Sequence, residues 1–151
     1  MSTTRAPALD VVADIIDTHH DRVWGRLPLR GPMAARIDRE RGHPGKLTHL
    51  IARLHDLLFD HLDREDRVLL AVACNHPSLE VGPRAARLHE EHAVLITLLD
   101  ELRAEVGGDF RTPTATGPTA RMLCTELASL EQHLREQIKL EDVLLCARLG
   151  S

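Results

Sequence analysis

The chain has 151 residues, 43% of them hydrophobic and 28% charged, which fits one folded domain over residues 1–151 and disfavours a disordered chain. Its net charge is −4 and only 2% of its residues are aromatic, so we expect no basic or aromatic surface for nucleic acid. The same scarcity of aromatic residues disfavours β strands. Ten histidines stand out against this background, and they suggest metal binding or proton chemistry.

Three cysteines, Cys74, Cys124 and Cys146, lie far apart and form no CxxC pair, which disfavours a thiolate zinc site. An odd and sparse set of cysteines suits a reducing compartment. The N-terminal residues lack the apolar core of a signal peptide, and no long uncharged apolar run follows them. We therefore expect a cytoplasmic protein with no membrane partner.

Clusters of proline and glycine near residues 28–32, 42–45, 75–77 and 107–118 predict breaks between helices. Between these breaks, apolar residues recur at the spacing of one helical face. The predicted helices, in chain order, cover residues 9–27, a short stretch from Pro32 to residue 41, and then about 46–74, 85–106 and 123–144. The sequence therefore predicts an all-α, up-down four-helix bundle with one short extra helix.

Polar side chains interrupt the core-facing positions of the four long helices. They are His20 in the first, His61 and Glu65 in the third segment, His92 in the fourth, and Gln137 and Glu141 in the fifth. A buried carboxylate must be paired, protonated or bound to a metal. Four helices that each contribute a ligand at one level can hold two metal ions, and imidazole with carboxylate suits iron or manganese.

Each of these residues also has a simpler interpretation when it is taken alone. His20 fits a hydrogen-bonded core histidine, and the His61/Glu65 pair fits an exposed stripe among charged neighbours. Convergence across four helices is what favours a metal site with His20, His61, Glu65, His92 and Glu141 as its ligands.

Three further histidines are candidates for additional or substitute ligands. His43 lies beside Pro44 in a predicted loop. His89 lies one turn before His92 and competes with it for the inward position, and His133 lies one turn before Gln137 as a shifted alternative to that residue.

Four segments of the chain together resemble the hemerythrin-like HHE cation-binding domain and, within it, the di-iron domain of the iron–sulfur cluster repair proteins (the RIC or ScdA group). They are IIDTHHDRVWGRLP at 15–28, FDHLDREDRVLL at 59–70, RLHEEHAVLITLLDEL at 87–102 and LREQIKLEDVLLCARL at 134–149. The resemblance implies a bundle that binds two non-haem irons through five histidines and two bridging glutamates. It implies His20, His61, Glu65, His92 and Glu141 as the matching ligands.

Two positions depart from the family pattern, because Arg41 and Gln137 stand where the resemblance implies histidines. Arginine stays charged and cannot bind iron, so an inward Arg41 would repel a pair of metal ions or would instead form an ion pair with Glu65 or Glu141. Gln137 offers only a neutral amide oxygen, and His43 and His133 are the nearby substitutes. Two metals, one metal and no metal are therefore three open interpretations.

The leading functional hypothesis is an iron-binding protein of nitrosative or oxidative stress that binds or reacts with O2, NO or peroxide. The alternative is a degenerate, metal-free bundle that binds a partner or acts in regulation. The repair proteins usually carry a cysteine-containing N-terminal domain, whereas about eight residues without cysteine precede the first helix here. Apolar residues expected at the surface, Leu29, Leu79 and Leu149, would permit a homodimer.

Overall fold

The fold is built from helices throughout the part of the chain that the computed structural model describes. These described residues are 5–18, 23, 25, 27–42, 45–73, 81–111 and 117–149. Their helices are α1 (Arg5–Thr18), α2 (Leu27–Arg41), α3 (Lys46–Ala73), α4 (Val81–Val106) and α5 (Pro118–Leu149). The prediction of an all-α bundle is confirmed. None of these described helices is both long and apolar enough to cross a bilayer.

Helix α2 corrects one boundary of the sequence analysis. The short helix was expected to begin after Pro32, yet α2 begins at Leu27 and contains Pro32. A proline inside a helix removes one backbone hydrogen bond, but α2 compensates by burying one face that includes Ala34 and Ile37. Burial of that face keeps the helix continuous through Gly31 and Pro32.

The core lies along α3, which packs against α1, α2, α4 and α5. Leucines spaced by four residues, Leu50, Leu54, Leu58 and Leu62, form its buried stripe. A smaller apolar cluster, with Val12 and Ile15 from α1 against Leu69, closes the far end of α3. The His/Glu positions of α3 therefore lie between two apolar regions.

The corner between α2 and α3 is fixed by one buried side chain. Asp38 of α2 accepts hydrogen bonds from the backbone N–H groups of Leu47 and Thr48, at 3.3 and 2.8 Å, and from Thr48 Oγ1 at 2.7 Å. These N–H groups belong to the first turn of α3, which has no partners of its own within the helix. Gly42 and Gly45 turn the chain here with φ angles of 67° and 68°, a conformation that suits glycine.

A buried arginine that the sequence did not predict, Arg30, connects α2 with α5. Arg30 is 1% exposed, and its Nη2 lies 4.0 Å from Glu126 Oε2 on α5. Burial lowers the pKa of the half-buried His55 on α3, and the charge of Arg30 lowers it further, to about 4. His55 therefore stays neutral at neutral pH beside this charged pair.

The Asp38 interaction predicts a specific loss of stability. In Asp38→Ala, the free energy of unfolding should fall by about 1–2 kcal/mol, because the first turn of α3 loses its acceptor. Urea denaturation followed by circular dichroism measures this change. Glu40→Ala is the control, since Glu40 is exposed and pairs with Arg36 on its own helix, and its effect should stay near zero. Equal losses in both variants would contradict the role assigned to Asp38.

The lowered pKa of His55 predicts a loss of stability in mild acid. The unfolded chain takes up this proton near pH 6.5, whereas the folded chain does so only near pH 4. Stability present above pH 6.5 is therefore lost as the pH falls towards 4. After allowance for solvent screening, His55→Gln should remove about 1 kcal/mol of the difference in unfolding free energy between pH 7 and pH 5. His49→Gln, on the exposed face of α3, should leave that difference unchanged.

Candidate metal centre

Two histidines and two glutamates from three helices meet inside the bundle. His61 and Glu65 lie one turn apart on α3, His92 lies on α4 and Glu141 lies on α5. All four are buried, with exposed fractions of 1%, 2%, 7% and 1% in that order. These four residues are called the His/Glu cluster below.

Glu65 is the centre of the His/Glu cluster. Its Oε2 lies 2.8 Å from His61 Nε2 and 3.3 Å from His92 Nε2. His92 Nε2 also lies 3.3 Å from Oε2 of Glu141, which ties α5 to the other two helices. The two imidazole rings meet edge to face, with their centroids 4.6 Å apart. One atom each from His61, Glu65 and His92 falls within 4.8 Å of the others, a spacing compatible with a shared metal ion.

The protonation of Glu65 is set by opposing effects. Burial alone would raise its pKa, but hydrogen bonds with Glu141, His61 and His92 together lower the pKa well below its usual range. Glu65 is therefore ionised. A carboxylate that stays ionised away from water requires a cation or a strong donor beside it.

A second layer of charged side chains lies beside the other ring nitrogen of His61, Nδ1. Glu91 Oε2 lies 3.6 Å from His61 Nδ1. Arg64 Nε donates to Glu91 Oε1 at 3.0 Å, and its Nη2 contacts the other carboxylate oxygen. Partial burial would raise the pKa of Glu91, but the hydrogen bond from Arg64 and the nearby positive charges lower it. Outer carboxylates of this kind fix the orientation of a histidine ligand.

A cleft of about 290 Å³ between α3 and α4 reaches this layer. Its lining includes His61, Arg64 and Glu91 together with the apolar Leu57 and Leu95. The cleft gives a small molecule a route from the surface towards the His/Glu cluster.

The structure brings together four of the five leading ligand candidates, whereas the fifth, His20, lies outside the described residues. His43 lies outside them as well. His92 takes the inward position that His89 competed for, and His89 lies at the surface with its ring centroid 6.3 Å from that of His92. His89 is therefore not positioned as an additional ligand.

Gln137 and His133 remain as candidate additions on α5. His133 is 4% exposed and lies two turns before Glu141. Gln137 lies one turn before Glu141, and its Oε1 is buried without a hydrogen-bond partner among the described residues. An unsatisfied buried oxygen this close to the His/Glu cluster fits a donor for a metal ion.

Arg41 does not replace metal charge, and the expectation that it could pair with Glu65 or Glu141 is wrong. Its side chain is exposed at the end of α2, where Nη1 donates to the backbone carbonyl of Glu105 at 3.0 Å. That carbonyl belongs to the last turn of α4, where the carbonyl oxygens have no N–H donor within their own helix. The partial negative charge of a helix end attracts the guanidinium instead.

Glu91 and Arg64 are the site residues that the sequence analysis missed. Each lies beside a candidate ligand on the same helix, Glu91 directly before His92 and Arg64 directly before Glu65. Neither position faces the core, so neither residue belongs to the polar residues that interrupt the apolar stripe of its helix. Glu91 and Arg64 come together beside His61 because α3 packs against α4.

The donor set of the His/Glu cluster fits a first-row metal such as iron. Two imidazole nitrogens, two carboxylates and a nearby amide oxygen are ligands that iron and manganese accept, whereas soft thiolates are missing from the described part of the cluster. A metal ion would also neutralise the buried Glu65 carboxylate.

Comparison with known proteins agrees with this geometry. The sequence model of the hemerythrin HHE cation binding domain matches residues 11–149. The chain belongs to this family. The resemblance identified from its four sequence segments is thereby confirmed.

Two curated relatives of this hemerythrin-like chain are both called iron-sulfur cluster repair protein YtfE. The protein of Dickeya chrysanthemi (strain Ech1591) is 27% identical over 143 residues, which cover 92% of this chain and 64% of the relative. The protein of Cronobacter sakazakii (strain ATCC BAA-894) is 25% identical over 147 residues, which cover 95% of this chain and 66% of the relative. The chain thus spans slightly less than two thirds of either relative. No solved structure matches it.

Proposed function

We propose that this chain binds iron at the His/Glu cluster and uses it to bind or react with O2, NO or peroxide. The observation that carries the proposal is the convergence of two buried imidazoles and two buried carboxylates from α3, α4 and α5 at contact distance. Membership of a cation-binding family and the name of the two relatives support iron as the metal.

The residues have separable roles in this proposal. His61 and His92 supply Nε2 as ligand atoms, because the two nitrogens lie 2.8 and 3.3 Å from Glu65 Oε2. Glu65 and Glu141 would supply carboxylate oxygens to the metal, and His20 is proposed as a further ligand from the N-terminal part of the chain. Iron bound here would supply an open coordination position for a small ligand.

Glu91 and Arg64 are proposed to orient the site rather than to bind metal. Glu91 Oε2 lies 3.6 Å from His61 Nδ1, and its negative charge on that side of the ring is proposed to keep Nε2 directed inward. Arg64 holds the Glu91 carboxylate in place through two contacts. The adjoining cleft of about 290 Å³ gives a diatomic ligand or peroxide access past Leu57 and Leu95.

Gln137 makes this proposed site poorer in nitrogen than the family pattern. An amide oxygen is a neutral and weak ligand, so Gln137 would hold a metal ion less tightly than a histidine at this position. His133, one turn earlier, is the proposed substitute. Such a site favours reactivity or exchange of one ion over tight binding of two.

Metal analysis tests the proposal directly. Protein produced with added iron should contain one to two iron ions per chain. Its visible and near-ultraviolet spectrum should show absorption from iron bound to histidine and carboxylate, which the iron-free protein lacks. In His92→Ala, the iron content should fall by at least half, because His92 joins α4 to both carboxylates. His89→Ala on the exposed face of α4 is the matched control and should keep the wild-type content.

Wild-type protein without iron, under conditions in which it is folded, would overturn the proposed function. That result would favour the alternative of a metal-free bundle with a binding or regulatory role. Arg41 and Gln137, which stand where the family pattern has histidines, motivated this alternative. The surface position of Arg41 argues only against a replacement of metal charge by its guanidinium.

Gln137→His tests the weaker half of the site. Replacing the amide by imidazole should raise the iron content towards two per chain and slow iron release to a chelator by about tenfold or more. Gln132→His, at an exposed position of the same helix, should change neither. Unchanged iron content in Gln137→His would place this residue outside the metal site.

A further inference from the structure

A groove lined by four arginines lies beside the cleft that reaches His61. It has a volume of about 360 Å³ and lies between the second half of α3 and the first half of α4. Arg64 and Arg67 come from α3, and Arg84 and Arg87 come from α4. The whole chain has a net charge of −4, so the positive charge of this groove is opposite in sign to the net charge of the protein.

The arginines are arranged as two facing pairs. Residues three apart lie on the same face of a helix, so Arg64 with Arg67 and Arg84 with Arg87 each place two like charges side by side. Such pairs destabilise a helix unless an anion lies between them. Two helices that both carry this arrangement along one groove concentrate the positive charge there.

The protein supplies only part of the negative charge that the groove needs. Glu91 is the one carboxylate in its described lining; Arg64 contacts both of its oxygens, and Arg87 Nε lies 4.0 Å from Oε1. Arg67 pairs with Asp63 on its own helix at 3.1 Å. Within the described part of the chain, Arg84 has no carboxylate at ion-pair distance.

The floor of the groove is apolar. Val68 and Leu88 are buried beneath it, at 3% and 2% exposed, and Pro83 forms part of its wall. A cationic rim above an apolar floor matches a ligand with both a charged and an apolar part. Guanidinium groups bind phosphate or carboxylate through two parallel hydrogen bonds.

We propose that this groove binds a small organic anion. Arg67, Arg84 and Arg87 hold its phosphate or carboxylate group, and Val68 and Leu88 support its apolar part. The site goes beyond the proposed iron function and does not require a metal ion. It adjoins the His/Glu cluster through Glu91, which contacts both Arg64 in the groove and His61.

Isothermal titration calorimetry of the full chain with phenyl phosphate tests the proposal, in metal-free and in iron-loaded protein. Phenyl phosphate should bind at one site per chain, and more tightly than inorganic phosphate, because only the former covers the apolar floor. Phenol, which lacks the anion, should not bind. Binding in the metal-free protein separates this site from the proposed iron function, since a failure of iron binding leaves the expected result intact.

Two variants locate the site. Arg84→Gln should weaken phenyl phosphate binding about tenfold, the effect of losing one charge-assisted contact. Arg53→Gln removes an exposed arginine elsewhere on α3 and should leave the affinity within twofold of wild type. Equal weakening in both variants would show general charge attraction and overturn the proposal, as would no binding or binding only to vesicles of anionic lipid.

Thermal unfolding gives a readout that does not depend on heats of binding. Phenyl phosphate should raise the Tm of the wild type and of Arg53→Gln. The double variant Arg67→Gln/Arg84→Gln should show no such rise, while its Tm without ligand should be no lower than that of the wild type, because like-charge repulsion is relieved. A full ligand-dependent rise in the double variant would overturn the proposal.

Discussion

Glu65 is the constraint around which the rest of this bundle is organised. An ionised carboxylate buried among leucines is costly unless cationic or hydrogen-bonding partners surround it, and here α3, α4 and α5 each supply one. The relative rotation of the three helices is fixed by this requirement as well as by apolar packing. Glu65 thereby influences both which faces of α3, α4 and α5 meet and which polar groups lie in the interior.

The surroundings of Glu65 form two layers with different functions. The inner layer of His61, His92 and Glu141 would offer ligand atoms to the proposed metal, whereas the outer pair of Glu91 and Arg64 is proposed to orient the His61 ring. Arg64 also lines the arginine groove, so the outer layer is shared between two neighbouring sites. An anion that attracts Arg64 or Arg87 would compete with Glu91 for them and so change the restraint on His61.

The inner layer could be predicted from the sequence because it interrupts a periodic apolar pattern. His61, Glu65, His92 and Glu141 all occupy positions where helical spacing requires an apolar residue, and burial of all four followed. The direction of the Arg41 side chain could not be predicted from the sequence. Arg41 stands where the family pattern has an inward histidine, but its side chain is placed at the end of α2 by a tertiary contact with α4. Glu91 and Arg30 escaped notice for a similar reason, since their partners lie on other helices and leave no trace in local periodicity. Helix α2 began early because packing outweighed the signal of Pro32.

The hydrogen bonds from Asp38 to the start of α3 join residues only nine and ten positions apart. Contacts of such short range form with a small loss of chain entropy, so the α2–α3 corner is suited to assemble early during folding. If this corner forms first, helix α3 has a fixed beginning, and its His61/Glu65 turn is in place before α4 and α5 pack against it. In that order of folding, His61 and Glu65 would be in place first. Glu141, which lies furthest along the chain, would be the last member to join the His/Glu cluster.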